Sequence, residues 1–155
     1  IQPYRGLDGY RNYQNIGTAE LTGLELELGK RSGIFDFRLN YTYLHAVEKD
    51  LDQSLDYAPR SQFNGFLNIG EIKGFSLSFW GIAVSGSQAK LGNEPPFEIV
   101  AIPGYVLLHA RLTKQIGAFN LYIKAENLLD RAYFAEPGFP MKARTFMLGF
   151  GMDLK

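Results

Sequence analysis

The feature that most constrains this chain is a period of two in hydropathy that recurs in segment after segment. In Leu24-Glu25-Leu26-Glu27-Leu28 the leucines share one face and the glutamates the other, because successive side chains of a strand point to opposite sides. Phe35, Phe37, Leu39, Tyr41 and Tyr43 alternate in the same way with Asp36, Arg38, Asn40 and Thr42. Five further segments follow the scheme: Phe63 to Gly70, Phe75 to Trp80, Tyr105 to Thr113, Leu121 to Glu126, and Thr145 to Leu154. Phe66 and Trp80 interrupt the polar face of two of them. No segment sustains a helical period; at most Glu126 to Tyr133 could form a short turn of helix. The expectation is an all-β chain of seven strands.

The connections are as informative as the strands. Lys30 to Gly33, Glu71 to Gly74 and Gln115 to Gly117 are short and contain Gly, as tight hairpins require. Val47 to Arg60, Ser87 to Ile102 and Leu128 to Ala143 are long. Short and long alternate strictly, so all tight turns lie at one end of the sheet and all long loops at the other. Outer-membrane barrels have this asymmetry, with short periplasmic turns and long outer loops. The last strand then runs toward the short-turn end, which implies a periplasmic C-terminus. Seven is an odd number where single-chain bacterial barrels have an even one. Residues 1–15, which lack clear alternation, read as the tail of an outer loop, with residues 16–155 carrying the strands and further strands expected before Ile1.

Alternation alone does not say which face meets lipid. A small outer-membrane barrel with a structural, adhesive or enzymatic role fits the string, and so does a soluble lipocalin-like ligand-binding barrel with its leucines turned inward. Composition narrows the field. Sixteen basic and sixteen acidic residues cancel, so no global field attracts nucleic acid. There is no cysteine, hence neither a disulfide framework nor a thiolate metal site. No run approaches the roughly 18 to 20 apolar residues of a membrane helix. Tyr41 and Tyr43, where a strand meets its long loop, suit an interfacial aromatic girdle.

Taken in order, several short motifs resemble the C-terminal barrel of TonB-dependent receptors. They begin with Tyr10-Arg11-Asn12, Thr22-Gly23-Leu24-Glu25-Leu26-Glu27 and Leu39-Asn40-Tyr41-Thr42-Tyr43-Leu44. Ala58-Pro59-Arg60, Pro103-Gly104-Tyr105, Asn127-Leu128-Leu129-Asp130 with Tyr133, and Arg144-Thr145-Phe146 continue the series. The resemblance covers about Tyr10 to Lys155. It departs at Ala143, where the family has Gly, and at the non-aromatic C-terminus. It implies an antiparallel up-and-down transmembrane β-barrel segment belonging to a larger barrel of about 22 strands. It further implies a location in the bacterial outer membrane and uptake of a large solute such as an iron-siderophore, haem or cobalamin. Expected partners are outer-membrane lipid, the solute, and TonB through a plug domain not present in these 155 residues.

Other chemistry has little support. His45 and His109 lie in no Gly-x-Ser-x-Gly or His-Glu-x-x-His setting, so no enzyme is indicated. Asp50, Asp52 and Asp56 with Glu48 lack the spacing of a calcium loop and read as a solvated segment. No cofactor or metal site is expected. Asn40-Tyr41-Thr42 matches a glycosylation sequon but lies inside a strand. Ligand contact in such a receptor comes from the long loops and upper lumen, where Tyr57, Gln88, Phe97, Tyr133 and Phe134 are the polar or aromatic candidates.

Overall fold

The computed structural model describes residues 2–5, 11–14, 18–50, 52–91 and 98–152. The seven alternating segments are all strands: β1 (Ala19–Ser32), β2 (Phe35–Glu48), β3 (Ser61–Ile72), β4 (Phe75–Val84), β5 (Tyr105–Ile116), β6 (Phe119–Glu126) and β7 (Thr145–Met152). Each pairs antiparallel with its neighbour in sequence, so the sheet runs β1 to β7 in order as an up-and-down meander. Gln53–Ser54 adds a short strand against the end of β2. Among the described residues β1 and β7 are the open edges.

The three tight turns are two residues long, Gly33-Ile34, Lys73-Gly74 and Gly117-Ala118, each beginning two or three residues later than the composition marked it. Hairpins this tight need a left-handed residue, because only the primed turns match the right-handed twist of the strands they join. Gly33 and Gly117 supply it at the first position (φ 56° and 61°), whereas Lys73 and Gly74 are both left-handed (φ 53° and 80°). Just before the Lys73 turn the ladder between β3 and β4 shifts register between Ile69 and Ile72. Gly70 N–H there donates instead to Ile34 O in the neighbouring turn.

The faces settle what alternation could not. In register, Leu28, Leu39, Gly65, Gly81 and Leu108 form one row, and Phe35, Ile69, Leu77, Leu112, Ile123 and Leu148 another. Toward the β7 edge this apolar face is the bare one: Leu148 is 81% exposed and Phe150 77%, while the intervening Met147, Gly149 and Gly151 are half-buried; β1, at the other edge, is exposed on both faces. β6 repeats the pattern, with Leu121 and Ile123 exposed and Asn120, Tyr122 and Lys124 half-buried. A water-soluble barrel would show the reverse. A sheet that shelters its polar side and bares its apolar side is stable only against an apolar solvent. Lys114 reaches from this face at the short-turn end to donate to Lys73 O (2.7 Å), its ammonium lying 4.1 Å from the Phe75 ring centroid. At the opposite end Tyr41 shares a hydrogen bond with Ser61 Oγ (3.2 Å).

The long connections carry structure of their own that periodicity did not reveal. Ser87–Leu91 pairs with Glu98–Ile102, and Phe134–Glu136 with Phe139–Pro140, as ribbons outside the main sheet. Gln2–Arg5 and Arg11–Gln14 form a third within the segment read as loop. The described residues contain no helix; Asn127 to Asp130 is instead a turn with two left-handed residues, Asn127 (φ 51°) and Asp130 (φ 50°).

Candidate functional site

The sheltered face is lined by charge and aromatic rings in alternation. One row across the strands reads Arg38, Phe66, Trp80, His109, and the next Asp36, Asn68, Ser78, Arg111, Lys124. Phe66 and Trp80, which interrupt the polar pattern in sequence, are the rings on which neighbouring cations rest. The Arg38 guanidinium lies 5.8 Å from the Phe66 centroid and Lys124 Nζ 5.5 Å from that of Trp80. Trp80 also stacks on His109 at 5.3 Å, 11° from parallel. The charges are largely reconciled within the wall: Asp36 accepts from Arg31 (2.9 Å) and Arg38 (3.1 Å), and Glu126 receives Lys124 (2.6 Å) and Lys142 (3.5 Å). His109 Nδ1 accepts from Asn127 N–H (3.3 Å), which leaves Nε2 as the donor of the neutral ring.

Arg111 sits 3.9 Å over Tyr122, and the Tyr122 ring in turn lies flat against the bare backbone of Gly149. A Cβ at 149 would overlap that ring, whereas one at Gly151, two residues along the same face, meets nothing within 4 Å. Gly149→Ala is therefore expected to displace Tyr122 and cost about 1–3 kcal/mol, as overpacking does. Gly151→Ala is the matched control. Urea midpoints of the refolded barrel check this, with equal midpoints for the two variants as the contrary result.

Above the wall the long loops are packed on one another. Tyr57 N–H donates to Gln88 O (2.8 Å), and Gln88 Nε2 to Ser54 O (3.3 Å), so two of the expected loop candidates meet. Burial, and then the charges of Glu136 and Asp56, push the Tyr57 phenol above its usual range. Tyr133 is held by Tyr105, ring centroids 4.6 Å apart, and Phe134 opens the ribbon that lies against Glu98–Ile102. Phe97 lies outside the described residues. The structure thus gathers Tyr57 with Gln88, and places Tyr133 and Phe134 on the loop beside them.

Two anchors hold these loops; the first escaped the sequence reading, and the second lies in the Asn127 motif that the sequence marks. Lys90, on the ribbon between β4 and β5, forms an ion pair with Glu48 at the end of β2 (3.0 Å), the side chains only 6% and 9% exposed. Glu48 is thus a buried partner in a loop-to-loop contact rather than part of a solvated acidic cluster. Asn127 is 3% exposed: Nδ2 donates to Arg131 O (2.9 Å) and Lys142 O (3.1 Å), and Oδ1 accepts from Arg131 N–H (3.0 Å). Asp130 caps the same loop by accepting from Arg144 N–H (2.9 Å).

Comparison with known proteins agrees with this geometry. The family model described as TonB dependent receptor-like, beta-barrel, matches residues 2–128. The ferripyoverdine receptor of the outer membrane of Pseudomonas aeruginosa superposes with a TM-score of 0.74 at 17% identity, covering 85% of this chain and 19% of that one. The ferric-catecholate import receptor Fiu of E. coli K12 gives 0.72 at 20% identity, covering 97% and 23%. The FrpB iron transporter of Neisseria meningitidis gives 0.71 at 13%, covering 96% and 26%. A search of curated proteins finds no match. The chain spans about a fifth to a quarter of the length of the receptors it superposes on. With the family model spanning most of its length and the inverted sheet to explain why, the chain belongs to the TonB-dependent receptor β-barrel family.

Proposed function

We propose that this chain forms the C-terminal part of the barrel of an outer-membrane importer that takes up an iron chelate. The observation that carries the reading is the inverted sheet, apolar side bare and charged side sheltered, in a chain of this family. Family membership makes the protein a receptor and not an enzyme. The names of the similar structures, a ferripyoverdine receptor, a ferric-catecholate receptor and an iron transporter, favour an iron-siderophore over haem or cobalamin as cargo. Energy comes from TonB through a plug domain, and the loop cluster of Tyr57, Gln88, Tyr133 and Phe134, with Phe97, meets the solute at the entrance. Met152, the last described residue, pairs with Phe119 beside the Gly117-Ala118 turn, and we place this short-turn end, and with it the C-terminus, in the periplasm.

Deleting the gene in a siderophore-deficient strain is expected to abolish uptake of at least one radiolabelled ferric chelate, and loss of TonB to abolish the same uptake. Undiminished uptake of every ferric chelate, with haem- or cobalamin-dependent growth lost instead, would reassign the cargo. For orientation, an epitope tag after Lys155 is expected to resist protease on intact cells; cleavage there would reverse the assignment.

A further inference from the structure

The bare apolar face is not smooth. Gly65 and Gly81 are directly paired across β3 and β4, with Leu39 and Leu108 on either side, and the missing side chains leave a notch of about 450 Å³. The notch continues toward the long-loop end into a second hollow of about 530 Å³, the two sharing Phe63, Ala83, Val106 and Leu129. Polarity changes along its length. The lower part is lined by aliphatic and aromatic side chains and bare backbone, whereas the upper part adds Ser61, Ser85, the Tyr41 side chain and Arg131. Among the described residues no carboxylate lines either part. Arg131 engages Asn127 through its backbone, and among the described residues no side chain pairs with its guanidinium.

From Leu67 to Ser61 the groove follows six residues of strand, about 20 Å at the rise of a β-strand. One leaflet of a membrane is about 15 Å of hydrocarbon, half of the full core. The groove is thus about as long as one leaflet is deep, and among the described residues its one lining cation stands at the long-loop end.

We propose that this groove is a lipid-binding site, holding one acyl chain of an anionic, phosphate-bearing lipid whose headgroup pairs with Arg131. The site rests on the membrane placement of the barrel and is independent of which solute is imported. An apolar notch on a lipid-facing wall gives an ordered chain the dispersion contacts that a flat wall lacks. The guanidinium at its mouth selects for net negative charge over a zwitterion.

The test uses the intact receptor, extracted in detergent and examined by native mass spectrometry in an equimolar mixture of phosphatidylglycerol and phosphatidylcholine with identical chains. The wild type is expected to retain one phosphatidylglycerol, preferred about fivefold, the factor one interfacial cation supplies. Arg131→Gln is expected to keep one bound lipid and lose the preference. Gly65→Leu fills the notch, where an added Cβ meets only Leu39 and Phe63 at ordinary contact distance, and is expected to lower retention of both lipids about tenfold or more. Ala83→Leu fills the adjoining hollow and serves should the Gly65 variant not fold, judged by heat-modifiable mobility. A wild type that retains no lipid or shows no preference overturns the proposal, as do filled variants that retain lipid unchanged or a second receptor copy seated in its place. A receptor that retains the lipid but takes up no iron chelate overturns the import reading alone.

Discussion

Lys90→Met is expected to free the ribbon between β4 and β5 from the end of β2, at a cost of about 3–5 kcal/mol to that local structure. The substitution leaves the Glu48 carboxylate buried without its cation, and an uncompensated buried charge costs more than the ion pair itself contributes. Hydrogen exchange reads this directly. Amides of Ser87–Leu91 and Glu98–Ile102 should exchange more than a hundredfold faster, while those of β5 and β6 keep their protection. Glu48→Leu combined with Lys90→Met removes both charges and should restore most of the lost protection, since apolar groups of similar volume replace such pairs at little cost. A double variant as labile as the single one would show that the pair orients the loops in a way packing cannot replace.

The second large effect is expected at Asn127→Ala. Asn127 satisfies two backbone carbonyls and one backbone N–H across fifteen residues of chain, and does so from a left-handed conformation that alanine disfavours. Losing the amide leaves those three groups without their partner in a nearly dry site, about 3–4 kcal/mol when summed at about 1 kcal/mol each with the conformational penalty. The loop from Leu128 to Arg144 should become susceptible to protease while the urea midpoint of the barrel changes little. Asn127→Asp keeps the acceptor but loses both donors, and is expected to fall between the two; protease resistance equal to wild type in both variants would contradict the anchoring role.

How much of this was visible in the sequence follows from the range of each interaction. Period two is a property of each strand by itself, so Leu24 to Leu28 or Phe35 to Tyr43 could be assigned without knowing their neighbours. The turns were legible from their glycines, each of which lies in the turn it marked, but their starts fell two or three residues later than marked, because the strand ladder extends closer to the glycine than residue type shows. Which face met lipid required the assembled sheet, since it depends on the curvature that shelters Lys124 and bares Leu121. The loop ribbons were hidden because Ser87–Leu91 has no pattern of its own and is a strand only by virtue of Glu98–Ile102. Glu48 and Lys90 stand 42 residues apart, beyond any local signal. Among the loop candidates, Tyr57 and Gln88 were chosen for their chemistry, and their mutual contact runs through the backbone, which residue type does not encode.

The sequential pairing of the strands has a kinetic consequence. Every neighbour in the sheet is also a neighbour in the chain, so each new pairing closes a loop of short or moderate length, and the entropy of ordering is met in small steps. The sheet can then zip one hairpin at a time along its β1-to-β7 order. The contacts between loops bridge connections that become neighbours only after the strands beneath them have paired. The mouth of the barrel is accordingly the last part to find its shape and the first to lose it.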